Sequence, residues 1–126
     1  MLKIAVIEDD MPIRDMYLMK LRNHGFEVQG AEDGEKGLAL IESFRPDLAL
    51  LDLRMPVMSG DEMLRRLRGE DWGTDLLVAV LTNVSPSEAP LSLRYLKVER
   101  YIVKAHHTPT QVLDMVIDIF KRYNKS

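Results

Sequence analysis

Cysteine is absent from the chain, which excludes disulfides, thiolate metal centres and cysteine nucleophiles. A basic excess is absent too: 17 Lys and Arg stand against 20 Asp and Glu, a formal net charge of -3 with no basic cluster. Non-specific nucleic-acid binding and adsorption to anionic membrane both draw on such an excess, so neither direct nucleic-acid contact nor membrane association is expected. Long apolar runs are also missing; those present are strand-sized, well short of the ~20 residues of a membrane span. No linker, low-complexity tract or repeat longer than one strand-helix unit appears, and 126 residues supply the core of one domain. The expectation is a single domain over residues 1–126. The opening Met1-Leu2-Lys3-Ile4 runs straight into strand-like sequence without a signal-peptide pattern, and a cytoplasmic location is expected.

What the chain does contain is alternation. Apolar strand-like segments alternate with helical periodicity, the order that builds a parallel sheet covered by helices on both faces. Strands are expected at residues 2–8, 26–31, 47–52, 76–81 with Thr82 at the tip, and 100–104. Helices are expected at residues 11–24, about 34–44, 59–68, 86–96 and 108–123. Asp10 and Ser59 stand at N-cap positions, Pro12 suits a first turn, Gly25 supplies a stop, and Arg45-Pro46 ends the second helix. The fourth strand is apolar throughout, which implies burial on both faces. Val112, Met115, Val116, Ile119 and Phe120 form one apolar stripe on the last helix.

Chemistry concentrates at the C-terminal tips of these strands, where open α/β sheets carry their ligand sites. Glu8-Asp9-Asp10 closes the first strand, Asp52 the third, Thr82 the fourth and Lys104 the fifth. If the first and third strands are parallel neighbours, their carboxylates converge, and converging carboxylates ask for a divalent cation. An ionised Asp can act as nucleophile and form an acyl phosphate. A hydroxyl and an ammonium suit the remaining phosphoryl oxygens, and phosphoryl transfer is mostly positioning and electrostatics.

At these residues the chain resembles the receiver domains of two-component response regulators, chemotaxis regulators among them. The resemblance spans nearly the whole sequence: Val6-Ile7-Glu8-Asp9-Asp10, Asp33-Gly34, Leu50 through Gly60 with Asp52-Leu53-Arg54-Met55-Pro56 inside it, Leu81-Thr82, and Tyr101-Ile102-Val103-Lys104. It implies a flavodoxin-like (β/α)5 fold, a doubly wound five-stranded parallel sheet in strand order 2-1-3-4-5 flanked by five helices. It also implies that Asp52 accepts a phosphoryl group, that Glu8, Asp9, Asp52 and the backbone carbonyl of Arg54 hold Mg²⁺ or Mn²⁺, and that Thr82 and Lys104 bind the phosphoryl group. Thr82 and Tyr101 are the implied switch, remodelling the face of the fourth helix, fifth strand and last helix. The implied partners are a sensor histidine kinase or phosphotransfer protein and a downstream protein, with a monomer or a weak phosphorylation-dependent dimer as the assembly. Such a domain is a signalling switch with self-phosphorylation and self-dephosphorylation chemistry, not an enzyme. The alternatives are a degenerate receiver serving as an interaction module and an aspartyl-phosphate phosphohydrolase; the latter would carry a second Asp where this chain has Arg54.

Three departures from the family pattern stand out. Ala105 follows Lys104 where proline is usual, so the Lys104-Ala105 peptide is expected to be trans. Asn83 replaces a small residue after Thr82, and Lys97-Val98-Glu99-Arg100 replaces a Gly-Ala-Asp-Asp type run, which argues against a charge-paired dimer there. The Arg54 side chain should sit by the phosphoryl entrance, either against that group or Glu8 or as a solvated loop arginine. His106 and His107 are expected in a loop, His24 at a helix end, and Trp72 over the sheet edge.

Overall fold

The computed structural model describes residues 1–125, and Ser126 lies outside the described residues. Five strands form one parallel sheet: β1 (Lys3–Ile7), β2 (Glu27–Ala31), β3 (Leu48–Leu51), β4 (Leu77–Thr82) and β5 (Val98–Val103), in the order β2-β1-β3-β4-β5. Four α-helices connect or follow them: α1 (Met11–His24), α2 (Gly34–Phe44), α3 (Gly60–Arg68) and α4 (Pro109–Arg122).

The period-2 alternation of the strands sends side chains into two cores. Ile4, Val6, Leu48, Leu50, Ala79, Leu81 and Ile102 meet Tyr17 and Leu21 of α1 and Val112, Val116, Ile119 and Phe120 of α4. Ala5, Ile7, Ala49, Leu51, Val78 and Val80 meet Ile41 of α2 and Met63, Leu64 and Leu67 of α3. Every residue of β3 and β4 is buried, as a central parallel strand covered on both faces requires. The stripe expected on the last helix is the one that packs, with Met115 at its margin.

Helix ends follow the local chemistry closely. The Asp10 side chain caps α1 by accepting the Ile13 N–H at 3.0 Å, and Gly25 closes it with φ 114°. Asp33 caps α2 through the Lys36 N–H at 2.8 Å. Thr108 and Gln111 form a reciprocal capping box at the start of α4. Ser59 holds the N-cap position of α3 without a side-chain capping bond.

Among the described residues the expected count of five helices is corrected to four. Residues 86–96 form two short 3₁₀ turns, Pro86–Glu88 and Leu91–Tyr95. Pro90 is the reason: it lacks an N–H, and its ring forces the preceding residue out of the helical region. Ala89 accordingly has φ -70° and ψ 149°. Leu93 remains buried on the α2/α3 side, so the segment keeps its packing while losing its helix.

Candidate functional site

Register brings the acidic groups together. Ile7 pairs with Leu51, so β1 and β3 end level with one another, and Leu51 pairs with Val80, so β4 runs two residues further to Thr82. The ladder continues one residue further, because the Asp52 N–H donates to the Ile7 carbonyl at 3.0 Å and the Glu8 N–H to the Ala31 carbonyl at 2.9 Å. Beyond these bonds the chains diverge into loops, and carboxylates of Glu8, Asp9 and Asp52 can present oxygens that all lie within 4.8 Å of one another. Gly60 makes this packing possible: a Cβ there would stand 2.0 Å from the Asp52 carbonyl oxygen. Its own N–H donates to the Leu53 carbonyl at 2.9 Å, tying the start of α3 to the loop after β3.

Lys104 enters from the tip of β5. Its ammonium donates to Asp52 Oδ2 at 3.1 Å and to Glu8 Oε1, so one cation bridges two of the three acids. Asp52 Oδ1 accepts the Leu53 N–H at 2.7 Å, and Glu8 Oε2 accepts the Asp10 N–H at 3.1 Å. Glu8 and Asp52 are 4% and 7% exposed, while Asp9 is on the open side. Burial raises the Glu8 pKa above the usual carboxylate range, and the Asp52 charge pushes in the same direction against the hydrogen bonds from Lys104 and Asp10. Burial works against the Lys104 ammonium, but the bond to Glu8 and the two nearby carboxylates outweigh it and hold the lysine above its ordinary value.

Thr82 and Tyr101 meet at one residue. The buried Thr82 Oγ1 accepts the Val84 N–H at 3.3 Å, and the Tyr101 hydroxyl donates to the Val84 carbonyl at 2.6 Å. Tyr101 is therefore turned inward, against the α2/α3 core. Burial raises its pKa, with the Asp52 charge acting in the same sense.

Several expected placements are refined. The Arg54 guanidinium faces Glu88 at 3.9 Å rather than Glu8, because the 3₁₀ turn holding Glu88 lies across the loop. Among the described residues there is no cis peptide bond, so Lys104-Ala105 is trans as expected. Lys97 and Arg100 pair within the chain, with Asp75 at 3.1 Å and Asp118 at 3.2 Å. Trp72 packs toward the α2/α3 core beneath the Arg45 guanidinium, 5.9 Å from its ring centre. His106 ends a 3₁₀ turn and His107 follows it, while His24 closes α1.

Three features escaped the sequence reading. Arg68 donates to five backbone carbonyls, of Gly73, Thr74, Leu76, Leu96 and Lys97, at 2.7 to 3.4 Å. Its helical position at the end of α3 advertised only a favourable dipole contact. Asn83 Oδ1 accepts the Ala105 N–H at 2.9 Å, a contact visible in sequence as two separate departures but not as a pair. Val57 has φ 68° with an exposed side chain, an uncommon conformation for a β-branched residue that no composition rule flags.

The sequence and the fold both have counterparts among known proteins. The model of the response regulator receiver domain matches residues 4–117. Among curated relatives, the phosphate regulon transcriptional regulatory protein PhoB of Pseudomonas aeruginosa is 32% identical over 101 residues, covering 80% of this chain and 44% of that protein. The response regulator MprA of Mycobacterium tuberculosis is 41% identical over 80 residues, covering 64% of this chain and 34% of MprA. This chain thus spans less than half the length of either relative. Among solved structures, the chemotaxis response regulator CheY4 of Vibrio cholerae superposes with a TM-score of 0.86 at 27% identity, covering 94% of this chain and 98% of that one. A CheY-like receiver protein from Methanospirillum hungatei gives 0.86 at 27% identity, covering 97% and 95%. With the strand order, the tip residues and the family match in agreement, the chain belongs to the response regulator receiver domains and is a module of phosphorylation-dependent signalling.

Proposed function

We propose that residues 1–126 act as one receiver in which Asp52 accepts a phosphoryl group from a histidine kinase or phosphotransfer protein. The observation that carries this reading is the convergence of the Glu8, Asp9 and Asp52 carboxylates within 4.8 Å, with the Lys104 ammonium on Asp52. A carboxylate oxygen of Asp52 attacks phosphorus, the bond from phosphorus to the donor's imidazole nitrogen breaks, and the imidazole leaves with the electron pair and takes up a proton. Lys104 stabilises charge on the transferred group.

The donor set is three carboxylates, with one side open to solvent through Asp9, which suits a hard divalent cation such as Mg²⁺ or Mn²⁺ better than a soft one. Glu8, Asp9, Asp52 and the Arg54 backbone carbonyl would hold it, and the cation would neutralise charge on the phosphoryl oxygens. Lys104 then exchanges its contact with Glu8 for the phosphoryl group, and Thr82 takes another phosphoryl oxygen. Moving Thr82 Oγ1 releases the Val84 N–H, which loosens the residue whose carbonyl Tyr101 holds. Output leaves through the two 3₁₀ turns, β5 and α4, toward a downstream protein.

Intact mass after incubation with a small acyl phosphate or phosphoramidate and Mg²⁺ tests the reading. One base-labile phosphoryl adduct is expected on the wild type and none on Asp52→Ala. Persistence of the adduct in that variant would place the acceptor elsewhere, steady turnover of the phosphodonor would favour a hydrolase, and no adduct on the wild type would favour an interaction module.

A further inference from the structure

Thr82 and Lys104, which the proposed function places on the phosphoryl group, lie on different strands, and each is followed by a residue that breaks the family pattern. Those two following residues are bonded to each other, Asn83 Oδ1 accepting the Ala105 N–H at 2.9 Å across the gap between β4 and β5. A proline at position 105 has no N–H and could not make this bond. The bond also supplies a partner to a donor in the first turn of the 3₁₀ segment Lys104–His106, where no intra-helical acceptor exists.

The position of the bond distinguishes it from the restraints on the Lys104 side chain. The side chain of Lys104 is held by Glu8 and Asp52. Phosphoryl transfer as proposed takes both of these anions away, Glu8 toward the cation and Asp52 into the acyl phosphate. The Asn83 bond engages the backbone of the next residue and is untouched by either event. We propose that Asn83 is a positioning residue for phosphoryl transfer, latching the loop after β5 to the loop after β4 so that Lys104 stays aimed at Asp52 while its own ion pairs are being exchanged. This inference rests on the phosphoacceptor reading of Asp52. In this chain the polar side chain at position 83 and the free N–H at position 105 together take the place of a rigid proline.

The test follows phosphorylation of wild type, Asn83→Ala, Ala105→Pro and the double variant with a small phosphodonor, alongside hydrogen exchange of the Ala105 amide in the unphosphorylated, metal-free protein. Asn83→Ala is expected to slow adduct formation by about three- to tenfold, the range that one net hydrogen bond supports. It should speed exchange at Ala105 by a similar factor and leave the melting temperature near that of the wild type, because both partners are exposed. Asn83→Asp, which keeps the acceptor, should restore the protection of the Ala105 amide. In the Ala105→Pro background the donor is already gone, so Asn83→Ala should add no further loss of rate. Unchanged rate and exchange in Asn83→Ala, or losses that add in the double variant, would overturn the latch while wild-type adduct formation leaves the acceptor reading standing. No adduct on the wild type at all would overturn the acceptor reading and the latch with it.

Discussion

Replacing Asp52 by Asn in metal-free protein weighs two opposing contacts whose distances are known. Asp52 and Glu8 present carboxylate oxygens within 4.8 Å. At an effective dielectric of about 20, a unit-charge pair at that separation repels by roughly 3.5 kcal/mol. Lys104 lies 3.1 Å from Asp52, and the same arithmetic gives an attraction of roughly 5 kcal/mol. Asp9 adds to the repulsion from the exposed side, and an amide costs less to bury than a carboxylate. Lys104 also keeps Glu8 as its counter-ion after the substitution. The two quantified contacts leave the carboxylate ahead by roughly 2 kcal/mol; the Asp9 repulsion and the lower cost of burying an amide are expected to exceed that and to favour the amide by about 1 kcal/mol at neutral pH, or about 4 °C in melting temperature for a domain of this size.

The pH dependence carries its own sign. Burial and then the Asp52 charge raise the folded-state pKa of Glu8 above its ordinary 4.5, so the native state binds more protons than the unfolded chain above that pH. Stability from this group is complete at lower pH and is lost as pH rises through the raised value. Asp52→Asn removes one cause of the rise, so its advantage should be present at neutral pH and shrink as pH falls toward 4.5. Urea unfolding with chelator from about pH 4 to about pH 8 reads both effects. Saturating Mg²⁺ should reverse the order, stabilising the wild type by up to about 2.7 kcal/mol at a hundredfold excess over Kd and the variant by less. A metal-free variant less stable than wild type by about 1 kcal/mol or more would mean that the Lys104 attraction outweighs the crowding of the acids, and the electrostatic account would fail.

Gly60→Ala would drive a Cβ to 2.0 Å from the Asp52 carbonyl oxygen; a loss of at least about 3 kcal/mol by chemical denaturation is expected, and a wild-type unfolding curve would contradict the packing. Arg68→Met takes the guanidinium from five carbonyls, of which Thr74 keeps the Lys97 ammonium at 3.2 Å, and should cost about 2 to 4 kcal/mol, with amide exchange accelerated first in the loops around Gly73 and Lys97; uniform protection across both loops would argue against the organising role. Tyr101→Phe removes the bond to the Val84 carbonyl and should lower stability by about 1 kcal/mol. In the wild type, beryllofluoride, a phosphoryl mimic, should shift the Tyr101 and Val84 NMR resonances together, and shifts confined to the strand tips would refute the coupling.

Much of this protein can be read from its sequence because the signals are local. Unbroken burial of β3 and β4 follows from runs of apolar residues, the cap at Asp10 from a side chain that bonds the backbone three positions on, and the stop at Gly25 from a residue free to take φ 114°. The acids at 8, 9 and 52 were legible for a related reason: parallel strands of similar length end level, so residues just past their tips must meet. Pro90 stands as a helix breaker inside residues 86–96, where a single helix was expected. In the folded chain the missing N–H decides, and the burial of Leu93 is achieved by 3₁₀ turns instead.

What only the tertiary structure decided are the partners chosen from far along the chain. Position 68 alone does not show that a guanidinium will gather carbonyls from two loops. Nor do positions 83 and 105, twenty-two residues apart, show that their side chain and N–H will bond. Arg54 finds Glu88 and Lys104 finds Glu8 for the same reason. Hydrophobic periodicity is a one-dimensional pattern that fixes which face of each element is buried. A polar side chain's partner depends instead on distances and angles between loops, and those exist only after the sheet has set its register and the helices have packed on both its faces.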